Sequence, residues 1–224
     1  MNVIRSRISV SQLAQYVFCL IVVAIILVRT APQVVAFPNH VSVGEYEVYS
    51  EQPVMLAEIA PVIATAEALL KQSPIYEAPR GQRLFLTDGE WRWRLLALTS
   101  ANALAFSLPV TENIIINRNS VASNRIMARK MVGGKRSLSS VIAHERTHGL
   151  LRTHYGWIRS VISPSWKTEG YCDFVAQESS LNAAQVARLR QEGKSHPALV
   201  YFEGRQKVAR ILAESGGSVD ALFK

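Results

Sequence analysis

Residues 143–157 read AHERTHGLLRTHYGW, and four of them, His144, Glu145, His148 and His154, carry groups that bind metal or move protons. On a helix, His144 and His148 stand one turn apart and project from the same face. Their imidazoles can then grip one ion, while Glu145 reaches a metal-bound water without binding the metal itself. That is the mechanical content of HExxH: one Zn2+ ion, two histidine ligands and a glutamate base. Zinc brings the pKa of its water down to about neutrality, and the glutamate takes the proton.

Two candidates compete for the third ligand. His154 lies ten residues after His144, and HERTHGLLRTH fits HExxHxxGxxH except at Leu151. The missing glycine matters, because glycine lets the chain leave the helix and turn the third histidine back to the metal. A helix that runs on through Leu151 puts His154 about 240° round from His148. The methionine turn of metzincins is also absent, since no Met follows Met131. The second candidate is Glu169 in SWKTEGYCDFVAQ, on what reads as the next helix, giving a His₂Glu set with water in the fourth place. Asp173 lies one turn further on and can accept a hydrogen bond from the far nitrogen of a ligand histidine, fixing its tautomer. Trp166, Tyr171, Phe174 and Val175 surround these carboxylates, so the helix reads as buried, and a buried carboxylate needs a metal or a partner. Cys172, between them, reads as a small buried residue.

HERTH followed by WKTEGYCDF resembles the gluzincin metallopeptidases, the group containing thermolysin and the zinc aminopeptidases, in which HExxH is followed by a helix of the form W-x-x-E-G. YFEGRQKVARILAESGG, residues 201–217, is similar to the Y-x-x-G helix of that group. The resemblance implies a peptidase acting on a peptide or protein. It implies His144, His148 and Glu169 as metal ligands, Glu145 as base and Tyr201 as donor to the oxyanion. It also implies that the strand NIIINR is an edge along which substrate lies, with Asn113, Ile115 and Asn117 lining it. The G-x-M-E-N block that holds a substrate's amino terminus is absent, so an endopeptidase is expected rather than an aminopeptidase. The alternatives are a peptidase-like binding domain without catalysis and a metzincin-type enzyme using His154.

The elements that must position these groups can be read from periodicity. VSVGEYEVYS (41–50) predicts a strand. PVMLAEIAPVIATAEALLKQ (53–72) predicts a helix kinked at Pro61. RLFLTDGEWRWRLLAL predicts two short strands around a D-G turn, and NIIINR (113–118) a β-branched strand. VASNRIMARKMVGGKRS is a basic segment with a Gly-Gly break. From Ser137 the pattern is helical: SLSSVIAHERTHGLLRTHYG with serine caps, SPSWKTEGYCDFVAQES with a Ser-Pro start, LNAAQVARLRQEG, and HPALVYFEGRQKVARILAESGG stopped by Gly216 and Gly217. Strands first and helices second predict an α+β fold, a small mixed sheet followed by a helical zincin half. Trp91 and Trp93 are candidates for a cleft wall or a membrane surface, and His196 for a helix cap.

The chain has 224 residues, 49% hydrophobic and 19% charged, which fits a folded domain plus an extra segment. Its net charge of +8 suits an anionic membrane surface or acidic substrates. No zinc-finger cysteine pattern and no RNA-binding signature is present, so nucleic acid is not expected as a partner. Cys19 and Cys172 lie too far apart in the pattern to suggest a disulfide. No charge occurs from Ile8 to Val28, after Arg5 and Arg7 and before Arg29. That stretch is long enough to cross a bilayer, and the preceding arginines favour a cytoplasmic N-terminus with the rest exported. Cleavage as a signal peptide near Ala36 is the rival. The expected organisation is an anchor or signal at 1–29, a linker at 30–40 and a metallopeptidase-like domain at 41–224.

Overall fold

The computed structural model describes residues 9–127 and 136–223. Ser9 caps the first helix, α1 (Val10–Thr30), through a reciprocal pair of bonds with Gln12. No residue of α1 is buried, and its mean hydropathy is 2.3. At 1.5 Å per residue its 21 residues span about 31 Å, matching a hydrocarbon layer of about 30 Å.

The stretch expected as a linker is packed. Residues Pro32–Val35 form a 3-10 turn with Pro32 buried, and the first strand, β1 (Asn39–Val43), begins inside it. The single strand expected at 41–50 is instead a hairpin of β1 with β2 (Tyr46–Ser50). Gly44 makes the difference: its φ of +56° supplies the positive-φ position that a two-residue hairpin loop needs.

Helix α2 (Leu56–Leu70) follows, with Pro61 inside it, and then β3 (Gln82–Leu86). The second strand expected after the D-G turn is a helix, α3 (Trp91–Ala97). Trp93, Leu96 and Ala97 are its buried residues, an i, i+3, i+4 spacing that outweighs the β-propensity of the tryptophans. Two short strands follow, β4 (Ala105–Ser107) and β5 (Ile114–Ile116), then a small ribbon of β6 (Asn119–Ser120) with β7 (Arg125–Ile126). Residues 128–135 of the basic segment, the Gly-Gly break among them, lie outside the described residues.

The main sheet runs β1-β2-β3-β5-β4, with β2, β3 and β5 parallel and the two outer pairs antiparallel. Side chains alternate across it. Leu84, Leu86, Ile114 and Ile116 face a core shared with α2 and the long helix α4 (Leu138–Tyr155). Phe85 and Ile115 face the other way, onto Trp93 and Leu96 of α3.

The remaining helices are α5 (Trp157–Ile162), α6 (Ser165–Val175), α7 (Ala183–Gln191), α8 (Ala198–Glu214) and the short α9 (Asp220–Phe223). The fold is thus mixed α and β, with one N-terminal apolar helix. The expected helical second half is present, its last long helix stopped at Gly216 and Gly217, both at positive φ. Helix α5 and strand β4 were not read from the sequence, being too short for a period to show.

Candidate metal centre

Helix α4 is fastened at its start. The Ser137 hydroxyl accepts from the Ser140 N–H, and the Glu178 carboxylate accepts from both the N–H and the hydroxyl of Ser137. Residues 138–145 are all buried, which carries His144 and Glu145 into the interior at 6% and 8% exposure. His148 follows one turn later, its ring centroid 5.0 Å from that of His144.

Helix α6 brings Glu169 to the pair. Its Oε2 stands 3.2 Å from His144 Nε2 and 3.5 Å from His148 Nε2. Bonds of 2.0–2.1 Å in a tetrahedral zinc site imply a ligand-to-ligand edge of about 3.3 Å. The two edges that Glu169 makes with the histidines therefore already lie near that length. Burial works to raise the Glu169 pKa, but the two histidines outweigh it and hold the carboxyl well below its usual range.

Asp173 accepts a hydrogen bond of 2.8 Å from His144 Nδ1, which leaves Nε2 directed at Glu169. Asp173 is fully buried yet satisfied. Arg136 Nη1 lies 3.1 Å from the same Oδ1, and the Ser179 hydroxyl donates to Oδ2 at 2.7 Å. Burial opposes ionisation of Asp173, and the His144 hydrogen bond and the Arg136 charge reverse that effect, lowering its pKa. For His144, burial pulls the pKa down, but Asp173 and Glu169 win and raise it to about 10. The sequence reading missed Arg136. In the basic run GGKRS nothing marks this arginine apart from its neighbours; only the fold turns it inward.

Cys172 is also close: its Sγ, with one nitrogen from each of His144 and His148, forms a set within 4.8 Å. Burial first, and then the charges of Glu169, Glu145 and Asp173, push its thiol well up. Glu169 stands at 3.2 and 3.5 Å from the two imidazoles, close to a tetrahedral edge, whereas the set with Cys172 spans up to 4.8 Å.

His154 is not brought to the pair. Leu151 is buried in the core, so α4 runs on to Tyr155, and His154 Nε2 faces Asp220 Oδ1 at 3.9 Å.

Helix α8 crosses α6 at two glycines. A Cβ on Gly204 would stand 2.5 Å from the Trp166 carbonyl oxygen, and one on Gly170 would stand 2.5 Å from the Gly204 carbonyl carbon. This crossing gives W-x-x-E-G and Y-x-x-G a shared physical reason: each glycine lets the backbones meet beside Glu169 and Tyr201. His196 accepts the Ala198 N–H at 3.1 Å and so caps the start of α8.

A cleft of about 510 Å³ opens over these groups, lined by His144, Glu145, His148, Glu169, Arg136 and Tyr201 on the helical side. Tyr201 is half-buried there. Burial and the nearby charges of Glu169, Asp173 and Glu145 push its phenol up to about 12, so it carries its proton at neutral pH.

The opposite wall is β4, residues 105–107, and this corrects the sequence reading of NIIINR as the substrate edge. Strand β5 lies inside the sheet, between β3 and β4. Asn113, Ile115 and Asn117 are buried and do not line the cleft. The Asn113 amide donates to the Thr30 carbonyl, the Asn117 amide donates to the Ala103 carbonyl, and Ile115 packs into the core on the α3 side. Three consecutive isoleucines signify a strand covered on both faces, which is an interior strand and not an edge.

Asn117 N–H bonds the Leu104 carbonyl and Leu108 N–H the Asn113 carbonyl. Residues 104, 106 and 108 therefore point their peptide groups at β5. By the alternation of an antiparallel pair, those of Ala105 and Ser107 point out to the edge that no strand pairs among the described residues. Comparison with models of known protein families, with curated proteins and with solved structures returned no match.

Proposed function

We propose that the chain is a zinc-dependent peptidase of the gluzincin type, with a minimal zincin-like domain anchored to a membrane by α1. The observation that carries this reading is the approach of one Glu169 oxygen to both motif imidazoles, at 3.2 and 3.5 Å. His144, His148 and Glu169 would hold one Zn2+ ion. The ion, when bound, supplies Lewis-acid polarisation and a water acidic enough to lose its proton near neutral pH.

The residues then divide the work. Glu145, on the cleft wall beside His144, accepts the proton of the attacking water and passes it to the leaving nitrogen as the C–N bond breaks. Tyr201, held protonated, donates to the oxygen of the tetrahedral intermediate. Asp173, itself fixed by Arg136 and Ser179, holds the His144 ring in its orientation. A peptide or protein substrate lies extended on the free edge of β4, pairing with the peptide groups of Ala105 and Ser107. Glu145 and Glu169 are the only carboxylates on the cleft wall among the described residues, and both are in use. None is left to hold a substrate's amino terminus, which supports an endopeptidase.

Arg5 and Arg7 precede α1, which supports a cytoplasmic N-terminus and an extracytoplasmic catalytic domain. The packed turn after α1 supports an uncleaved anchor over cleavage near Ala36, because Arg92 donates to the carbonyls of both Val35 and Ala36.

Metal content and peptide hydrolysis of the full chain test the reading. Glu145→Gln should keep its zinc and lose about 10²- to 10⁴-fold in rate, the usual contribution of a general base. Glu169→Ala should lose zinc, and Cys172→Ser should keep it. Hydrolysis by Glu145→Gln at the wild-type rate would overturn the catalytic reading. Zinc lost in Cys172→Ser but kept in Glu169→Ala would replace the ligand set.

A further inference from the structure

The last turn of α1 is gripped by the globular part. Val28 packs against the cluster of Phe85, Trp93 and Leu96. Arg29 donates to the Leu96 carbonyl at 3.3 Å, and the Asn113 amide donates to the Thr30 carbonyl at 3.4 Å. With the globular part fixed at the end of an apolar helix, the level at which that helix leaves a bilayer is fixed on the globular surface too. That level passes beside α3 and beside the turn joining β4 to β5.

The surface there is apolar where water would favour polar groups. Val110, in the β4–β5 turn, is 88% exposed and lies three residues from the asparagine that grips Thr30. Helix α5 buries none of its residues, and its Ile158, Val161 and Ile162 are 69%, 60% and 74% exposed. Pro109 and Val161 line one small pocket, so α5 and the β4–β5 turn are neighbours. On the α3 side Trp91, Leu95 and Leu98 are exposed. Arg94 and Arg159 stand exposed among them. Scattered exposed apolar residues are ordinary. A run of them at the exit of a membrane-length helix, mixed with arginine and tryptophan, has the composition of a segment that lies in the interface.

We propose that α5, the β4–β5 turn and the exposed edge of α3 form a docking surface for the phospholipid bilayer that α1 crosses. The apolar side chains enter the headgroup boundary, and Arg94 and Arg159 meet lipid phosphates. The chain's net charge of +8 favours anionic lipid. The pocket between α5 and Pro109 is bordered on its inner side by His148, Arg152 and Glu169, so the docked rim adjoins the metal centre. One consequence rests on the peptidase reading: the cleft then receives polypeptide lying at the membrane surface.

The test uses the full chain reconstituted in vesicles of phosphatidylcholine with a minority of phosphatidylglycerol. In a Cys19→Ser background an environment-sensitive fluorophore is attached to Val110→Cys, to Val161→Cys, or to Lys194→Cys in the exposed loop after α7. Nitroxide-bearing lipids should quench the first two probes several-fold more than aqueous iodide does, with the reverse for the third. Equal access of iodide to all three overturns the proposal. Protection at 110 and 161 that vanishes when the protein is diluted in lipid overturns it as well, by marking a second copy as the occupant. Release of the chain from vesicles by alkaline carbonate also overturns it. Hydrolysis is not read, so failure of the peptidase reading leaves the result intact.

Discussion

The two walls of the cleft are built differently. Behind the helical wall the groups hold one another: Glu169 between two imidazoles, Asp173 among His144, Arg136 and Ser179, and Tyr201 by helices that touch backbone to backbone. The strand wall is three residues of β4 whose outer peptide groups are unpaired among the described residues, steadied by a side-chain contact from Arg152 to Ser107, with Glu112 holding Arg152 in turn. Groups that must stay within a few tenths of an ångström of one another sit on helices locked by partners. On the proposed reading, the wall that meets substrate is the one whose backbone is unpaired among the described residues. Substitutions should follow this division: large, structural losses on the helical wall, and small losses confined to substrate handling on the strand wall.

The largest loss of fold is expected at Arg136. It is 4% exposed and faces a carboxylate with no exposure at all. Arg136→Met keeps much of the volume and leaves Asp173 one cation short, which should cost about 3 kcal/mol, the lower end for breaking a buried ion pair. Denaturant unfolding measures it, and a loss under 1 kcal/mol would mean that the helical wall is looser than described. Next is Gly204→Ala. The methyl group would meet backbone at 2.5 Å, and backbone cannot rotate away. Parting α6 from α8 should cost about 1–3 kcal/mol, the range for overpacking. Because Glu169 and Tyr201 flank the crossing, zinc affinity should fall together with thermal stability. A variant that lost stability and bound zinc normally would uncouple the two.

Asp173→Asn probes the orientation of a ligand, and the expected effect is a 10- to 100-fold loss of zinc affinity by competitive chelation. The same contact gives the metal-free protein a pH signature. His144 has its pKa raised from 6.5 to about 10, so its contribution is fully present below 6.5 and is lost as the pH rises through 10. Asp173 has its pKa lowered from 3.8, so its contribution is present above 3.8 and lost as the pH falls below it. Glu169, lowered from 4.5 by the two histidines, likewise loses its contribution as the pH falls below 4.5, so these three groups together favour the metal-free fold most between pH 4.5 and 6.5. Zinc binds neutral imidazole and should flatten the alkaline fall. Thermal melts with and without chelator trace both limbs, and Asp173→Asn should shrink each.

The helical wall was legible in the sequence and the strand wall was not, for a physical reason. His144, Glu145, His148, Glu169 and Asp173 sit at one-turn spacings on helices of eleven residues or more, where periodicity fixes direction. Even the failure of His154 was readable, because Leu151 in place of glycine keeps the helix going. Strand β4 has three residues, AFS, too few to show a period of two. The neighbouring III looked like the better edge because its β-propensity is higher, yet propensity does not say how many faces are covered. Helix α5 escaped for a related reason. A period-based reading looks for apolar residues that face a core, and WIRSVI faces none.

The smallest effect, and the one that isolates the strand wall, comes from proline on β4. Ala105 points its N–H at the cleft, whereas Phe106 points its own at Ile115 across the ladder. Proline at Ala105 removes a cleft-facing donor and no bond within the sheet, and an edge strand tolerates it at such a position. If substrate pairs with that N–H, Ala105→Pro should raise KM about 2- to 10-fold, the worth of one hydrogen bond at 0.5–1.5 kcal/mol, and leave kcat and zinc content unchanged. Phe106→Pro is the control, because it breaks the ladder and should destabilise the fold. The pair separates two failures. An Ala105→Pro protein that melted early would mean that the alternation along β4 is assigned the wrong way round. One that folded, bound zinc and cleaved with unchanged KM would mean that substrate takes its register from the helical wall alone, and the division of labour between the two walls would fall with it.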